Sequence, residues 1–342
     1  MKGSLIAFDQ INGRAAAARL VDGRLDDLLF DPPEDRIRPG AIYRARATRP
    51  MKGQGGMMLE TPDGPLYLRG AKGVAPGQNL LVQVSSFAEE GKAPPCNTNL
   101  VIKSRYCLVT PGKQGYNLSK SIRDEERRVE LHELLDRVAR NDGVGLILRT
   151  SSAEGDDDAV FEDIEATLDL ALKIGGEGLS AAPEMLLDGP SAHDIAWRDW
   201  PLPDLVDEEE GSFQRHEIDA EIDVLSEAKA VFSGGASMFI ESTRALTAVD
   251  VNSGGDTSPA AALKANLAAL RGLPRALRLR GIGGQIVIDL APSSKRDRKQ
   301  LESAAKTAFR TDPIETTFVG WTPLGHMEFI RKRERLPLSD LP

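Results

Sequence analysis

The chain predicts a mixed α+β protein of several subdomains, and three observations carry that reading. Its 342 residues exceed what a single hydrophobic core usually organises. Short apolar runs broken by Asn-Gly, Asp-Gly, Gly and Pro fill residues 4–100, whereas later stretches space their apolar side chains as helices do. Finally, two β-branched runs, one ending at Asp250 and one at Asp289, lead straight into an acid, as buried strands do where they stop.

Taken in order, residues 4–10, 14–21 and 24–30 read as three strands. Asn12-Gly13 and Asp22-Gly23 join them, dipeptides that accept the positive φ of a tight hairpin turn, and Pro32-Pro33 ends the meander. From Gly40 to about Leu100, the runs Ala41 to Ala47, Met57 to Glu60, Pro65 to Leu68 and Asn79 to Val84 predict a small barrel. Asp124 to Arg140 predicts a helix with Val129, Leu131, Leu134, Leu135 and Val138 on one side, stopped by Asn141-Asp142-Gly143. A strand, Val144 to Leu148, delivers Arg149 and Thr150. A second helix carries Phe161, Ile164, Leu168 and Leu172, its acidic start at Glu154 to Asp158 favoured by the helix dipole.

Prolines interrupt residues 175–226, where Trp197 and Trp200 read as packing residues. Ser233-Gly234-Gly235 then makes a turn, and Ser237 to Ser242 pairs with Ala245 to Val251. Pro259 opens a helix that Pro274 is expected to kink or break. Lys295, Arg296, Arg298 and Lys299 crowd the start of a helix running through Phe309. The last strand leads into Arg331, Arg333 and Arg335, which alternation places on one face.

Composition narrows the function classes. No apolar run approaches the roughly 18 residues of a membrane span, and Leu5 to Phe8 is too short for a signal peptide, so a cytoplasmic protein is expected. Cys96 and Cys107 match no disulfide or metal framework, and the histidines at 132, 193, 216 and 326 are scattered, which argues against zinc or a histidine-based nucleophile. The net charge of −9 is unevenly spread: residues 243–342 hold 16 Lys and Arg against 10 Asp and Glu, leaving −15 for residues 1–242. A basic module on an acidic scaffold suits phosphate contacts, which need only a local patch.

Asp250 and Asp289 are the candidate chemical centre. A carboxylate beside a buried sheet is costly without a positive partner, and two carboxylates with the nearby Asn252 amide suit a hard cation such as Mg2+. On spacing alone a plainer reading stands beside this one, in which Asp250 and Asn252 cap the Ser253-Gly254-Gly255 turn and Asp289 begins the next.

Three phrases, ALTAVDVNSGG at 245–255, LRLRGIGGQIVIDL at 277–290 and GHMEFIRKRER at 325–335, resemble in that order the catalytic half of the ribonuclease E/G family of bacterial endoribonucleases. Weaker similarity extends over most of the chain. The resemblance implies an α+β multi-subdomain fold. A discontinuous RNase H-like structural subdomain (residues 1–35 and 176–228) would receive an OB-type RNA-binding barrel (36–101) and a 5′-sensor-like α/β unit (102–175). A DNase I-like catalytic subdomain (229–342) would follow. It also implies a magnesium-dependent endoribonuclease of RNA processing or decay, with Mn2+ as an alternative ion. Single-stranded RNA would be cut by water attack at phosphorus, leaving a 5′-phosphate and a 3′-hydroxyl. Asp250 and Asp289 would hold the ion and Asn252 would position one of them or the scissile phosphate.

The same resemblance extends to binding residues. GVGLILRTSS is similar to the family's pocket for a 5′-monophosphate, assigning Arg149 and Thr150 with Lys120 nearby. In the barrel, Tyr67 would stack on a base and Lys92 would lie near the RNA path, an exposed loop lysine being an equal reading. Arg278 and Arg280 offer an RNA-backbone surface or simply a charged outer face, and Arg331, Arg333 and Arg335 form the best basic patch.

Several positions depart from the family. Met58 and Tyr67 stand where phenylalanines are usual, Met58 reading as core, and Ser121 and Arg244 replace an arginine and a glutamate. Leu290-Ala291-Pro292-Ser293 lacks a second aspartate. These support the rival reading, a catalytically weak or inactive RNA-binding paralogue. The family's paired-cysteine zinc link has no counterpart, so no zinc is expected and a homo-oligomer would have to form without it.

Overall fold

Hairpin chemistry sets the first strands. In a computed structural model that describes residues 2–51, 53, 55–89, 91–138, 143–232, 235–256 and 258–341, β1 (Ser4–Ile11), β2 (Arg14–Val21) and β3 (Arg24–Phe30) form an antiparallel meander. Both turns take positive φ at both residues: 51° and 77° at Asn12-Gly13, and 49° and 75° at Asp22-Gly23. Those are the values a tight two-residue hairpin demands. The chain divides into two units, Met1–Pro33 with Pro203–Pro342, and Glu34–Leu202.

The second unit begins with a closed five-stranded barrel. It comprises β4 (Ile42–Met51), β5 (Gly56–Thr61), β6 (Gly64–Leu68), β7 (Asn79–Val84) and β8 (Pro95–Asn97). Because β4 pairs with both β5 and β7, and β8 bridges β6 and β7, the sheet has no free edge there. Met57, Leu59, Leu66 and Leu68 point into the core. Strict alternation therefore turns Met58 outward opposite Tyr67, its register partner, and corrects the expectation that Met58 is core.

Next come β9 (Ile102–Lys103), β10 (Cys107–Pro111), β11 (Tyr116–Leu118), α1 (Glu125–Val138), β12 (Val144–Leu148) and α2 (Asp157–Gly175). The four strands form a sheet against which Leu131, Leu134, Leu135, Ile164 and Leu168 pack. Val129 is 58% exposed, because it lies two residues, or about 200°, from Leu131 around the helix. Asp156 caps α2, its side chain accepting from the backbone N–H of Asp158 and Ala159. The expected helix end at 139–140 and the Asn141-Asp142 stop lie outside the described residues, as do Ser233 and Gly234. Then β13 (Glu184–Leu187) returns to pair with β4, and α3 (Ala192–Asp199) follows behind a Ser191–Asp194 capping box. Residues up to Leu202 thus belong with the barrel and the β9–β12 sheet.

Back in the first unit, β14 (Leu205–Asp207) adds to β1 in parallel, and α4 (Ser212–Arg215) and α5 (Ile218–Ser226) follow. A six-stranded mixed sheet then forms from β15 (Lys229–Val231), β16 (Ser237–Ser242), β17 (Thr247–Asn252), β18 (Gly284–Asp289), β19 (Thr316–Trp321) and β20 (Met327–Arg331), in the order β15-β16-β17-β18-β20-β19. The crossover from β17 to β18 is α6 (Pro259–Leu279), and α7 (Arg298–Arg310) connects β18 to β19. Val249, Val251, Ile286 and Ile288 pack with Leu270, Leu273, Leu277, Leu301 and Phe309 beneath these helices, which cover one face of the sheet.

Pro274 does not end α6. An internal proline costs about 3 kcal/mol, yet Leu270, Leu273 and Leu277 anchor both halves of the helix in the same core, and that burial outweighs the lost hydrogen bond. No helix of the described residues is long and apolar enough to cross a membrane.

Candidate active site

Strand alternation and parallel register build the site. In β17 the residues Thr247, Val249 and Val251 are buried while Ala248, Asp250 and Asn252 are exposed. In β18 the buried set is Gly284, Ile286 and Ile288, and Asp289 is exposed. The two strands run parallel with Asp250 opposite Asp289, so both carboxylates leave the same face, the one turned away from α6 and α7. Neighbouring strands lie about 4.8 Å apart, which makes the pair a concentrated negative charge. Among the described residues Asp250 forms no ion pair.

Each carboxylate has one oxygen engaged. The Asn252 Nδ2 amide donates to Asp250 Oδ2 at 2.7 Å, and His326 Nδ1 lies 3.1 Å from Asp289 Oδ1. The sheet register extends the row: Phe239 of β16 is opposite Asp250, and Lys229 of β15 is opposite Phe239, with its ammonium 5.8 Å from the ring centroid. A cation, an aromatic ring, two acids and an imidazole thus follow one another across the sheet. Sequence reasoning missed Phe239 and His326. The symmetric hairpin of β16 and β17 gave a way to find the first; the second depends on the pairing of β18 with β20, strands separated by more than thirty residues.

These residues fit a hard divalent cation. Two exposed carboxylates on adjacent strands, each with an oxygen left over, match an ion that keeps most of its water. An ion held by Asp250 and Asp289 would keep water on its other positions, and no group of three or more His, Cys, Asp and Glu among the described residues is placed to hold a metal.

In the second unit, Arg149 and Thr150 follow β12 and line a cavity of about 500 Å³ with Ser119, Ser151, Arg105, Arg198 and Asp199. The Arg149 guanidinium is already occupied. Its Nη1 donates to the carbonyls of Ser104 (2.5 Å), Arg105 and Arg198 (both 3.0 Å), and its Nη2 to Asp199 Oδ1 at 2.9 Å. Burial lowers the Arg149 pKa while Asp199 acts to raise it. Asp199 also pairs with Lys103 at 2.7 Å and Arg198 at 2.9 Å. Burial alone would raise its pKa, but the Arg198 hydrogen bond and charge, with Lys103, hold it well below the carboxylate range. Thr150 is exposed, its hydroxyl 3.2 Å from that of Ser119; Lys120 is exposed and does not line the cavity.

Comparison with known proteins places the chain. The Ribonuclease E/G family model matches residues 101–205 and 202–334, more than half of the chain. The chain belongs to the ribonuclease E/G family. Ribonuclease E of Synechocystis sp. is 28% identical over 323 residues, covering 81% of this chain and 48% of that protein. Ribonuclease E of Haemophilus influenzae is 27% identical over 296 residues (75% and 31%), and ribonuclease G of Escherichia coli (strain K12) 26% over 305 residues (77% and 61%). The chain spans about half the length of the first and 61% of the last.

Within this ribonuclease E/G family member, the arginines expected to meet RNA serve the interior. Arg331 is 2% exposed, pairs with Asp312 at 2.8 Å and donates to Thr316 Oγ1 at 2.8 Å. Arg278, 7% exposed, pairs with the same Asp312 and donates to the Asp26 carbonyl. Arg280, 8% exposed, donates to the Glu227 carbonyl, and Arg335 pairs with Asp27. The expected patch fails because β20 ends at Arg331, so alternation does not carry on to 333 and 335. Arg333 instead packs against Gly283 and Gly284, where a Cβ would clash with it.

Other cations remain outside. Arg271, Arg296 and Lys299, none ion-paired among the described residues, line an open groove of about 870 Å³ between α6 and α7. In the barrel, Tyr67 is half-buried and Lys92 is exposed beside Glu89.

Proposed function

We propose that this chain is the catalytic region of a single-strand-selective endoribonuclease of RNA processing or decay, acting with Mg2+, or with Mn2+ in its place, in the cytoplasm. The observation that carries the reading is the register of Asp250 opposite Asp289, two exposed carboxylates on one sheet face. In this reading the meander with β14 and its helices is RNase H-like, the closed barrel OB-type, the β9–β12 sheet sensor-like and the six-stranded sheet DNase I-like.

The chemistry follows from the row of side chains. The ion, when bound, would offset phosphoryl charge and acidify a water for in-line attack. Asp250 and Asp289 would hold it from adjacent strands, and Asn252 fixes the Asp250 carboxylate by donating to one oxygen. Attack at phosphorus breaks the bond to the 3′ oxygen, giving a 3′-hydroxyl and a 5′-phosphate. Tyr67 on the outer barrel surface would stack on a base, with Lys92 near the RNA path. The Arg149 and Thr150 cavity would favour a 5′-monophosphate that competes with Asp199 for the guanidinium.

A second reading, an RNA-binding member that cleaves poorly, is favoured by that saturated Arg149 and by Leu290-Ala291 after Asp289. Cleavage of single-stranded, AU-rich, 5′-monophosphorylated RNA with Mg2+ separates the two. Asp250→Asn and Asp289→Asn are each expected to lower the rate by more than about 100-fold, beyond what loss of an outer-sphere partner costs. Cutting that survives both substitutions, or none by the unsubstituted protein, removes the enzymatic reading.

A further inference from the structure

We infer that His326 is a positioning residue of the carboxylate pair, doing for Asp289 what Asn252 does for Asp250. The inference rests on the two-carboxylate reading above and extends it to a residue from a third strand. An ionised carboxylate only accepts hydrogen bonds, so the His326 Nδ1 at 3.1 Å from Asp289 Oδ1 must carry the proton and donate. One oxygen of Asp289 is thereby tied down and the other is left for a cation, the same division that the Asn252 amide makes at Asp250.

The mounting of the imidazole is built for this. His326 sits at the entry to β20, and the hairpin that leads into it is closed by its own bonds. Its backbone N–H donates to Thr322 Oγ1 at 3.0 Å, the Thr322 N–H donates to the His326 carbonyl at 2.9 Å, and the Gly325 N–H donates to the Thr322 carbonyl at 3.0 Å. At Gly325 φ is +97°, a backbone state that favours glycine. Since β20 is hydrogen-bonded to β18 from Gly284 through Ile288, the ring is held next to the residue that ends β18.

Asp289 otherwise stands alone. Its side chain is 64% exposed, the His326 ring is its one side-chain hydrogen-bond partner among the described residues, and the residues that follow it, Leu290 and Ala291, bring no second acid. A free aspartate at a strand end samples several rotamers, and an ion that needs both carboxylates at once binds more weakly when one of them is unplaced. A donor on one oxygen removes that freedom without adding the protein ligand that would strip water from the ion.

The test reads ion binding apart from catalysis. Mn2+ is titrated into the full chain without RNA and followed by electron paramagnetic resonance, and RNA cleavage is measured separately for kcat and KM. His326→Ala is expected to weaken Mn2+ binding about tenfold, the lower end for loss of an outer-sphere partner, and to lower kcat with KM for RNA unchanged. His326→Asn, which keeps an N–H near the Nδ1 position, is expected to recover most of both.

Unchanged Mn2+ affinity in His326→Ala while Asp289→Asn abolishes binding would overturn the inference and leave the two-carboxylate reading standing. Equal losses in the alanine and asparagine variants would overturn it as well. Mn2+ binding indifferent to Asp289→Asn would instead remove the reading on which it rests.

Discussion

Strands in both units carry charge at or near their ends, and they settle it in opposite ways. Asp250, two residues before the end of β17, and Asp289, which closes β18, lie exposed and side by side, touched by an amide and an imidazole. Arg149 closes β12 with its guanidinium spread over three carbonyls and Asp199. The first arrangement leaves charge for something mobile to neutralise; the second has the protein neutralise it. The same division separates Arg331, sealed against Asp312, from Arg271, Arg296 and Lys299 in their open groove.

Saturated charges therefore serve the fold first, and Arg331→Ala offers the largest effect with which to break the comparison. The Asp312 side chain is fully buried, and removing one partner of a buried pair costs about 3–5 kcal/mol, a shift that urea denaturation would show. RNA affinity of the folded variant should keep its dependence on salt. A salt slope reduced by about one unit would mean that Arg331 meets a phosphate after all.

This contrast between spent and available charge is what the sequence conceals. The turns at Asn12-Gly13 and Asp22-Gly23, the strand Val144–Leu148 and the acid at the end of β18 were legible because local chemistry dictates them, whereas β17 runs two residues past Asp250. That Asp250 and Asp289 act together was implied by the family resemblance alone, and their register came only with the parallel pairing of β17 and β18. The fate of the arginines did not follow. Arg331 and Arg278 are inside because Asp312, which no periodicity marks, is inside with them. Likewise β8 is three residues that only barrel closure makes a strand, and His326 becomes a neighbour of Asp289 only through pairing across the sheet.

A smaller effect tests whether Asp199 keeps the Arg149 guanidinium from a phosphate in the cavity beside β12. Asp199→Ala would release Arg149, Arg198 and Lys103 together. One charge-assisted hydrogen bond is worth about 1.5–3 kcal/mol, so the preference for 5′-monophosphate over 5′-hydroxyl RNA should rise about tenfold. Arg149→Ala should lower it. The readout is the ratio of cleavage rates on the two substrates. If neither substitution moves that ratio, the saturated arginine is scaffold alone.

The smallest effect is a pH dependence, and its sign follows from Asp199. Its pKa is depressed in the folded chain by Arg198 and Lys103 despite burial, against about 3.9 when unfolded. The unfolded chain therefore binds the proton more readily. The stability this group contributes is fully present above about pH 4 and is lost as pH falls towards the depressed folded value. Melting temperatures measured between pH 7 and 3 should fall on the acid side, and less steeply in Asp199→Asn, which has no such carboxylate to protonate. An acid limb identical in the two proteins would show that Asp199 is not holding its cations in solution, and would return Arg149 to the class of charges still looking for a partner.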